Sequence, residues 1–397
     1  MQHNAGMISS PAVRDDPASI YIHVPFCSHI CPYCDFTTYV GKDAMIPRYV
    51  DAVGRELEAK ANDFGGRPVH TIFFGGGTPS LLSGEQIETI LDACRRVYPI
   101  TVDAEISLEA NPNGLTFERL QHYRSAGVNR LSIGAQTLDR RGLRLLGRQH
   151  ESTDVLDAVN LARSAGFEQI SLDLIFSWPG QTMERWESDL RQVLTLEPGL
   201  LTHLSLYSLI IEPGTPFADA EARGILKMPD DDASAELYEL AIRLLAEAGW
   251  VHYEVANWAT RSEFASRHNI QYWRNGDFLG IGAGAHGTVQ GVRTMNHLLP
   301  ETYCRAIESN EAAWSNREVI DGPVAEGETM MLGLRLLEDG INRAAFHQRH
   351  GRSMEEAFGS VVPELASNGL LIDESDQVKL THQGLMLAND VAARFLP

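Results

Sequence analysis

Three of the chain's five cysteines, Cys27, Cys31 and Cys34, follow the spacing C-x3-C-x2-C. Thiolates so close together on one short loop can converge on a single centre, and soft thiolate ligands select zinc, copper(I) or iron–sulfur. Zinc sites and iron–sulfur clusters usually take four protein ligands. The spacing therefore predicts either a cluster with one iron open to an outside ligand, or a Cys3His zinc site completed by His23 or His29.

The open iron of such a cluster can bind a chelating group, and the α-amino and carboxylate groups of S-adenosylmethionine form one. Electron donation from the cluster to the sulfonium would break a C–S bond and yield a 5′-deoxyadenosyl radical, in a protein that supplies geometry and excludes water. Structural zinc knots usually contain two cysteine pairs, whereas Cys94 and Cys304 have no cysteine neighbours in the sequence. We therefore favour the cluster.

Short apolar segments that alternate with helical segments must position these residues. Such segments recur six times, at 20–26, 71–77, 105–112, 130–136, 170–177 and 202–210. Nearly continuous apolar strands separated by amphipathic helices predict a parallel sheet covered by helices. Six βα units predict a full or partial (β/α) barrel of α/β class, with a doubly wound open sheet as the alternative.

Cysteine, glycine-rich and polar residues, which are uncommon in buried strands, lie at or near the carboxyl ends of these predicted strands. The cysteines follow the first strand, the string GGGTP ends the second, and Glu109 and Gln136 end the third and fourth, while Asp173 lies within the fifth. Because the carboxyl ends of barrel strands form one face that carries the active site, we expect a single site there.

The pattern changes after about residue 230. A long helix is followed by an irregular segment that contains HNIQYW, and the end of the chain predicts helices and two short strands, as in a winged-helix domain. Residues 316–397 carry thirteen acidic and seven basic side chains, which argues against DNA binding. The predicted parts are a polar tail (1–18), the barrel (19–230), an extension with HNIQYW (231–315) and a smaller C-terminal domain (316–397).

Composition limits the compartment and the partners. A net charge of −20 disfavours nucleic acid and anionic surfaces, and no apolar run is long enough to span a bilayer. The first residues lack the apolar core of a secretory signal, and five unevenly spaced cysteines do not predict a disulfide framework. We expect a cytoplasmic protein that binds no nucleic acid. Homodimerisation and peripheral membrane contact stay open.

The cysteine spacing after a first strand, with GGGTP at the second, resembles the radical S-adenosylmethionine superfamily. The strings YIHVPFC, LEANP, SIGAQT, LGRQH and IEPGTP resemble its coproporphyrinogen III dehydrogenase-like branch, from about residue 19 to the end. The resemblance implies that Cys27, Cys31 and Cys34 hold a 4Fe–4S cluster served by a reductant. It also implies an S-adenosylmethionine pocket formed by Tyr21, Tyr33 (beside the cluster), Gly76, Gly77, Thr78, Glu109, Gln136, Arg148 and Asp173.

Two features divide this branch. Oxygen-independent coproporphyrinogen dehydrogenases carry a further cysteine where this chain has Phe36, which argues against that decarboxylation. HNIQYW resembles the HNxxYW signature of HemW-type heme chaperones, which is associated with heme binding. The resemblance implies delivery of heme to heme-dependent respiratory proteins and heme contacts from the motif residues His268, Asn269, Tyr272 and Trp273.

Several alternatives remain at this point. The enzyme alternatives are a coproporphyrinogen III dehydrogenase and a class C radical methyltransferase, and the non-enzymatic one is the zinc module. HNIQYW has a structural alternative, in which Asn269 caps a turn and the aromatic rings are core. The sequence does not decide whether S-adenosylmethionine is cleaved.

Overall fold

The six predicted barrel strands all form in the computed structural model, which describes residues 17–197 and 199–397. The predicted tail thus lies outside the described residues except for its last two positions. The six strands are β1 (Ala18–Val24), β2 (Val69–Gly76), β3 (Ile100–Ala110), β4 (Arg130–Gln136), β5 (Gln169–Phe176) and β6 (His203–Ser208).

Helices connect these strands and cover one face of the sheet. They are α1 (Ile46–Ala59), α2 (Gly84–Val97), α3 (Phe117–Ala126), α4 (Arg140–Leu145), α5 (Ser152–Ser164) and α6 (Met183–Leu194), and α7 (Pro216–Ala222) and α8 (Asp231–Glu247) follow β6. Ile20 and Ile22 of β1 are fully buried in the main hydrophobic core. The alternate residues Tyr21 and His23 point to the other face, as strand geometry requires.

The order of the strands decides between the two predicted architectures. β1 to β6 lie side by side in chain order, each parallel to the next. In a doubly wound sheet the order of the strands reverses at a switch point, so neighbouring strands do not all follow one another in the sequence. The fold is therefore the predicted barrel type. The two edge strands of this sheet do not pair with each other in the described part of the chain. The barrel is therefore open on one side, that is, partial.

The extension adds further strands to both ends of this sheet. β7 (Val251–Glu254) and β8 (Asn257–Ala259) continue it antiparallel beyond β6, and α9 (Arg267–Trp273) follows. β9 (Phe278–Ile281) pairs parallel with β1. The antiparallel strands β10 (His286–Val289) and β11 (Val292–Asn296), then α10 (Pro300–Glu308) and β12 (Trp314–Val319), complete the other end.

A buried carboxylate ties this extension to the barrel. Glu56 of α1 accepts hydrogen bonds from the backbone N–H of Gly282 (2.8 Å), the side-chain amide of Asn296 (2.8 Å) and the hydroxyl of Tyr303 (2.6 Å). Lys60 forms an ion pair with it at 2.7 Å. Several charge-assisted hydrogen bonds on one buried carboxylate fix the loop after β9 against α1.

The C-terminal domain has its own small core, which includes Met330 and Phe346. Its elements are α11 (Gly322–Gly333), β13 (Ile341–Asn342), α12 (Arg343–His350), α13 (Met354–Phe358), α14 (Val361–Ser367), β14 (Leu371–Asp373), β15 (Gln377–Leu380), α15 (His382–Met386) and α16 (Ala388–Ala393). Helices followed by a two-strand hairpin match the winged-helix-like expectation. The boundary predicted at residue 316, however, falls inside β12, which belongs to the large sheet.

Ion pairs join the two parts of the molecule. Arg293 of β11 contacts Glu328 of α11 at 2.7 Å, and Arg335 contacts the buried Glu254 of β7 at 3.3 Å. None of the helices within 17–197 and 199–397 is long and apolar enough to cross a membrane.

Candidate functional site

A cavity of about 360 Å³ opens at the carboxyl ends of the barrel strands. The loop after β1, the glycine-rich end of β2 and the ends of β3 to β6 form its walls. Eleven of the predicted cluster and cofactor residues line it: Cys27, Cys31, Tyr33, Cys34, Gly76, Gly77, Thr78, Glu109, Gln136, Arg148 and Asp173. The structure thus brings together residues that lie up to 146 positions apart in the sequence.

The three cysteines are free thiols in this wall. Burial, followed by the proximity of Cys31 and Cys27, raises the pKa of the Cys34 thiol to about 11. Burial also raises the pKa of Cys27. Thiols that lie close enough to disfavour one another's ionisation suit a metal centre, which binds thiolates and releases their protons.

The zinc alternative would need a fourth ligand, His23 or His29, beside the three thiols. Across the described ranges, no three His, Cys, Asp or Glu side chains are arranged to hold a single metal ion. His23 cannot complete a zinc site because both of its ring nitrogens already form hydrogen bonds. His29, the other candidate ligand, is exposed and lines the cavity.

His23 instead positions the cysteine loop. Burial lowers the pKa of its imidazole, so the ring is neutral. Its Nε2 lies 2.9 Å from the carbonyl oxygen of Thr37, and its Nδ1 lies 3.0 Å from the hydroxyl of Tyr21. A carbonyl can only accept, so Nε2–H donates to Thr37 and Nδ1 accepts from Tyr21.

Tyr21, which the resemblance places in the S-adenosylmethionine pocket, is not among the described residues that line the cavity, so that role stays a prediction. Its hydroxyl supports His23 and its ring stacks on Phe73 with centroids 6.2 Å apart. The string YIHVPFC places Tyr21 and His23 at alternate strand positions, but nothing in it marks His23 as a positioning residue.

The glycines of GGGTP allow the cysteine loop to approach β2. A Cβ at Gly77 would lie 2.7 Å from the carbonyl oxygen of Phe26 and 3.1 Å from Sγ of Cys27. The N–H groups of Gly77 and Thr78 donate to carbonyls of the first strand and its loop, at Val24 and Phe26. Amide N–H groups only donate, so a ligand amino group would find its acceptors among carbonyl oxygens.

Two carboxyl groups face the cavity from β3 and β5. Burial, and after it the charge of Asp173, raises the pKa of Glu109 to about 8. Burial also raises the pKa of Asp173, which accepts hydrogen bonds from the hydroxyl of Ser132 at 2.9 and 3.0 Å. Glu109 accepts from the backbone N–H of Gly76 at 3.1 Å. A pair of acidic groups in one cavity favours a ligand that brings positive charge.

Arg148 supplies the positive charge beside the cysteines. One Nη donates to Oδ1 of Asn111 (2.6 Å) and to the carbonyl of Gly134 (2.8 Å), and the other donates to Sγ of Cys31 (3.6 Å). Its Nε is buried without a hydrogen-bond partner in the part of the chain that the structure describes. A buried N–H in this state suits an acceptor supplied by a ligand, such as a carboxylate. Asn111 was missed by the sequence analysis, although it follows Glu109 in LEANP.

The end of β4 places Gln136 in the same wall. Its φ of 66° is in the left-handed region, and the pairing of β4 with β5 shifts register between Gly134 and Gln136. This local irregularity turns the Gln136 side chain into the cavity. Non-glycine residues held in this conformation cluster at functional sites.

The motif HNIQYW lies elsewhere, packed against β2 and β3. The His268 imidazole is 1% exposed and stacks on Phe73 with centroids 5.0 Å apart. Its Nδ1 lies 2.7 Å from the Thr71 hydroxyl, which donates to Ser19, and its Nε2 lies 2.8 Å from the Tyr272 hydroxyl. Nδ1–H therefore donates to Thr71 and Nε2 accepts from Tyr272. Burial lowers the His268 pKa to about 3, so the ring stays neutral.

The remaining motif residues also have structural partners. The backbone N–H of Asn269 donates to the Ser266 hydroxyl at 3.3 Å, so Ser266 rather than Asn269 caps α9. The Trp273 ring packs under the guanidinium of Arg335 at 4.2 Å. Its indole N–H is buried with no hydrogen-bond partner among the described residues. In this conformation the motif forms part of the packing inside the barrel, and heme contact from it stays a prediction.

Comparisons with known proteins agree with the architecture of this site. Residues 21–193 match the Radical SAM superfamily, and residues 327–387 match the HemN C-terminal domain. The chain is 39% identical over 379 residues to heme chaperone HemW of Bacillus subtilis (strain 168), covering 95% of this chain and 99% of that protein. It is 37% identical over 393 residues to heme chaperone HemW of Escherichia coli (strain K12), covering 97% and 99%.

A solved structure shows the same fold. Coproporphyrinogen III oxidase (HemN) from Escherichia coli, described as a radical SAM enzyme, superposes with a TM-score of 0.81 at 23% identity. The match covers 97% of this chain and 91% of that one, so it includes both the barrel and the C-terminal domain.

Proposed function

The chain belongs to the HemW heme chaperone family within the radical SAM superfamily, and on this premise we propose that it binds heme and delivers it to heme-dependent respiratory proteins. The similarity to HemW proteins carries this proposal, because it spans nearly the full length of both chains. Phe36, at the position of a further cysteine in the coproporphyrinogen dehydrogenases, supports it. The likeness to coproporphyrinogen oxidase is one of fold.

The residues that line the cavity support the binding of a 4Fe–4S cluster and S-adenosylmethionine. Cys27, Cys31 and Cys34 would hold the cluster, which is expected for the superfamily. The unpartnered Nε–H of Arg148 fits the carboxylate of S-adenosylmethionine, and Glu109 fits its positive charge. When bound, the cluster supplies an electron to the sulfonium. Tyr33 and Gln136 would complete the walls of this site.

Heme is the cargo that the family name implies, and heme titration tests the proposal. Hemin is added under anaerobic conditions to the full chain with its cluster reconstituted, and the Soret band is followed. We expect a saturable shift at one heme per chain with submicromolar affinity. A spectrum that keeps changing in proportion to added hemin would contradict the chaperone proposal.

Incubation of the same protein with coproporphyrinogen III and S-adenosylmethionine separates the chaperone from the enzyme alternative. We expect no protoporphyrinogen to form at a catalytic rate. Repeated turnover to protoporphyrinogen would replace the chaperone proposal by that of an oxidative decarboxylase.

A further inference from the structure

Three large apolar side chains surround the mouth of the cavity and remain exposed to solvent. They are Ile30 (43% exposed), Phe36 (65%) and Ile210 (64%), and all three line the cavity. Single apolar residues on a protein surface are common, but several at the mouth of one pocket indicate a binding surface. We refer to these three residues as the apolar rim.

The cavity behind the apolar rim is small for two organic ligands. Its volume of about 360 Å³ is near the lower end for small-molecule pockets, roughly 300–1,000 Å³. S-adenosylmethionine, held at Arg148 and Glu109, would occupy it. A macrocycle that binds to the same face must therefore lie across the mouth, where the apolar rim is.

An imidazole belongs to the same surface. His29 lies between the cluster ligands Cys27 and Cys31, is exposed, and lines the cavity next to Ile30. Neutral imidazole is a common axial ligand of heme iron. The apolar rim and His29 together thus offer apolar contact for a porphyrin face and a nitrogen donor for its iron. His268 differs, because it is 1% exposed and both ring nitrogens are in hydrogen bonds.

We propose that heme docks across the mouth of the cavity, with a porphyrin face against Phe36 and Ile210 and with His29 as a nitrogen ligand of its iron. This inference rests on the proposed heme-chaperone function and deepens it by assigning the heme site. The opposite end of heme, with its propionates, remains in solvent, so the cargo is held at the surface, from which it can be passed on.

The test is hemin titration of full-length, cluster-reconstituted variants. Phe36→Ala and Ile210→Ser each remove an apolar contact, so hemin Kd should rise roughly tenfold or more. The matched controls are Phe117→Ala and Ile372→Ser, which alter exposed side chains outside the cavity lining. Iron content is measured in every variant, because Phe36 lies close to the cluster ligands.

Two histidine variants test the ligand. His29→Ala should change the Soret position, and added imidazole should restore it. His268→Phe, with its folding checked by circular dichroism, should leave hemin Kd within about twofold of wild type, since it removes no group from the rim.

The outcomes separate this inference from the function on which it rests. If the wild-type chain shows no saturable hemin binding, the proposed function fails. If it binds hemin and the rim variants bind equally well, the rim assignment is wrong while the function stands. A folded His268→Phe variant that loses binding when the rim variants keep it would place heme at HNIQYW. An unchanged Soret band in His29→Ala would overturn the ligand assignment.

Discussion

We expect the raised pKa of Glu109 to make S-adenosylmethionine binding depend on pH. This pKa is about 8, because the carboxyl group is buried and lies beside Asp173. A bound ligand with ammonium and sulfonium charges favours the carboxylate form. Binding below pH 8 must therefore release the proton, and affinity should fall as pH falls.

The size of the effect follows from this pKa. At pH 7 about ten of eleven Glu109 groups carry a proton, so the apparent affinity is about tenfold below its plateau. At pH 6 the penalty is about a hundredfold, and at pH 8 it is about twofold. Raising the pH from 6 to 8 should thus increase the affinity for S-adenosylmethionine by up to about fiftyfold through Glu109 alone.

Glu109→Gln removes the titration and keeps the shape of the side chain. The ligand's own amino group titrates in the same range, so the informative quantity is the ratio of variant Kd to wild-type Kd, measured by equilibrium dialysis under anaerobic conditions. We expect this ratio to rise by up to fiftyfold between pH 6 and pH 8. For Glu58→Gln, a change on the surface of α1, it should stay near one. A constant ratio for Glu109→Gln would refute the assignment of Glu109 to the ligand's positive charge.

Three further predictions concern the cluster loop and the fold. Cys31→Ser should abolish the broad absorption near roughly 400 nm that iron–thiolate centres give, whereas Cys94→Ser, in the core, should keep it; full iron content in Cys31→Ser would contradict the ligand assignment. Gly77→Ala should cost about 1–3 kcal/mol in chemical denaturation and lower iron uptake, because its Cβ meets backbone oxygens and the thiol of Cys27, a proposed cluster ligand. Gly54→Ala, whose nearest contact is at 3.9 Å, should have neither effect. Glu56→Ala should lower the free energy of unfolding by about 3 kcal/mol, since it leaves several buried donors unpaired, and an unchanged melting temperature would count against that network.

The barrel could be predicted from the sequence because its strands are buried on at least one face. β1 and β5 are apolar along most of their length, and each carries its chemistry at or near the carboxyl end. The cysteine loop was equally visible, since all three thiols belong to one short segment. Residue pattern and spacing are enough to predict such a site when its residues lie close together in the sequence.

The added strands and the true position of HNIQYW could not be predicted in this way. β12 is exposed at every residue, so no apolar alternation marks it, and the predicted domain boundary at residue 316 falls inside it. The sequence predicts His268 as a residue available for heme contact, because His, Tyr and Trp offer both ligand and aromatic chemistry. Its burial depends on Thr71 and Phe73, almost two hundred residues away, which no local pattern reveals.

Heme transfer tests the central claim most directly. The heme-loaded chain is mixed with the apo form of a heme-dependent respiratory protein, and recovery of the acceptor's spectrum is compared with that after an equal amount of free hemin. A heme chaperone predicts faster and more complete recovery from the loaded chain. Recovery no faster than with free hemin, from a chain shown to be saturated with heme, would contradict the function proposed for this protein.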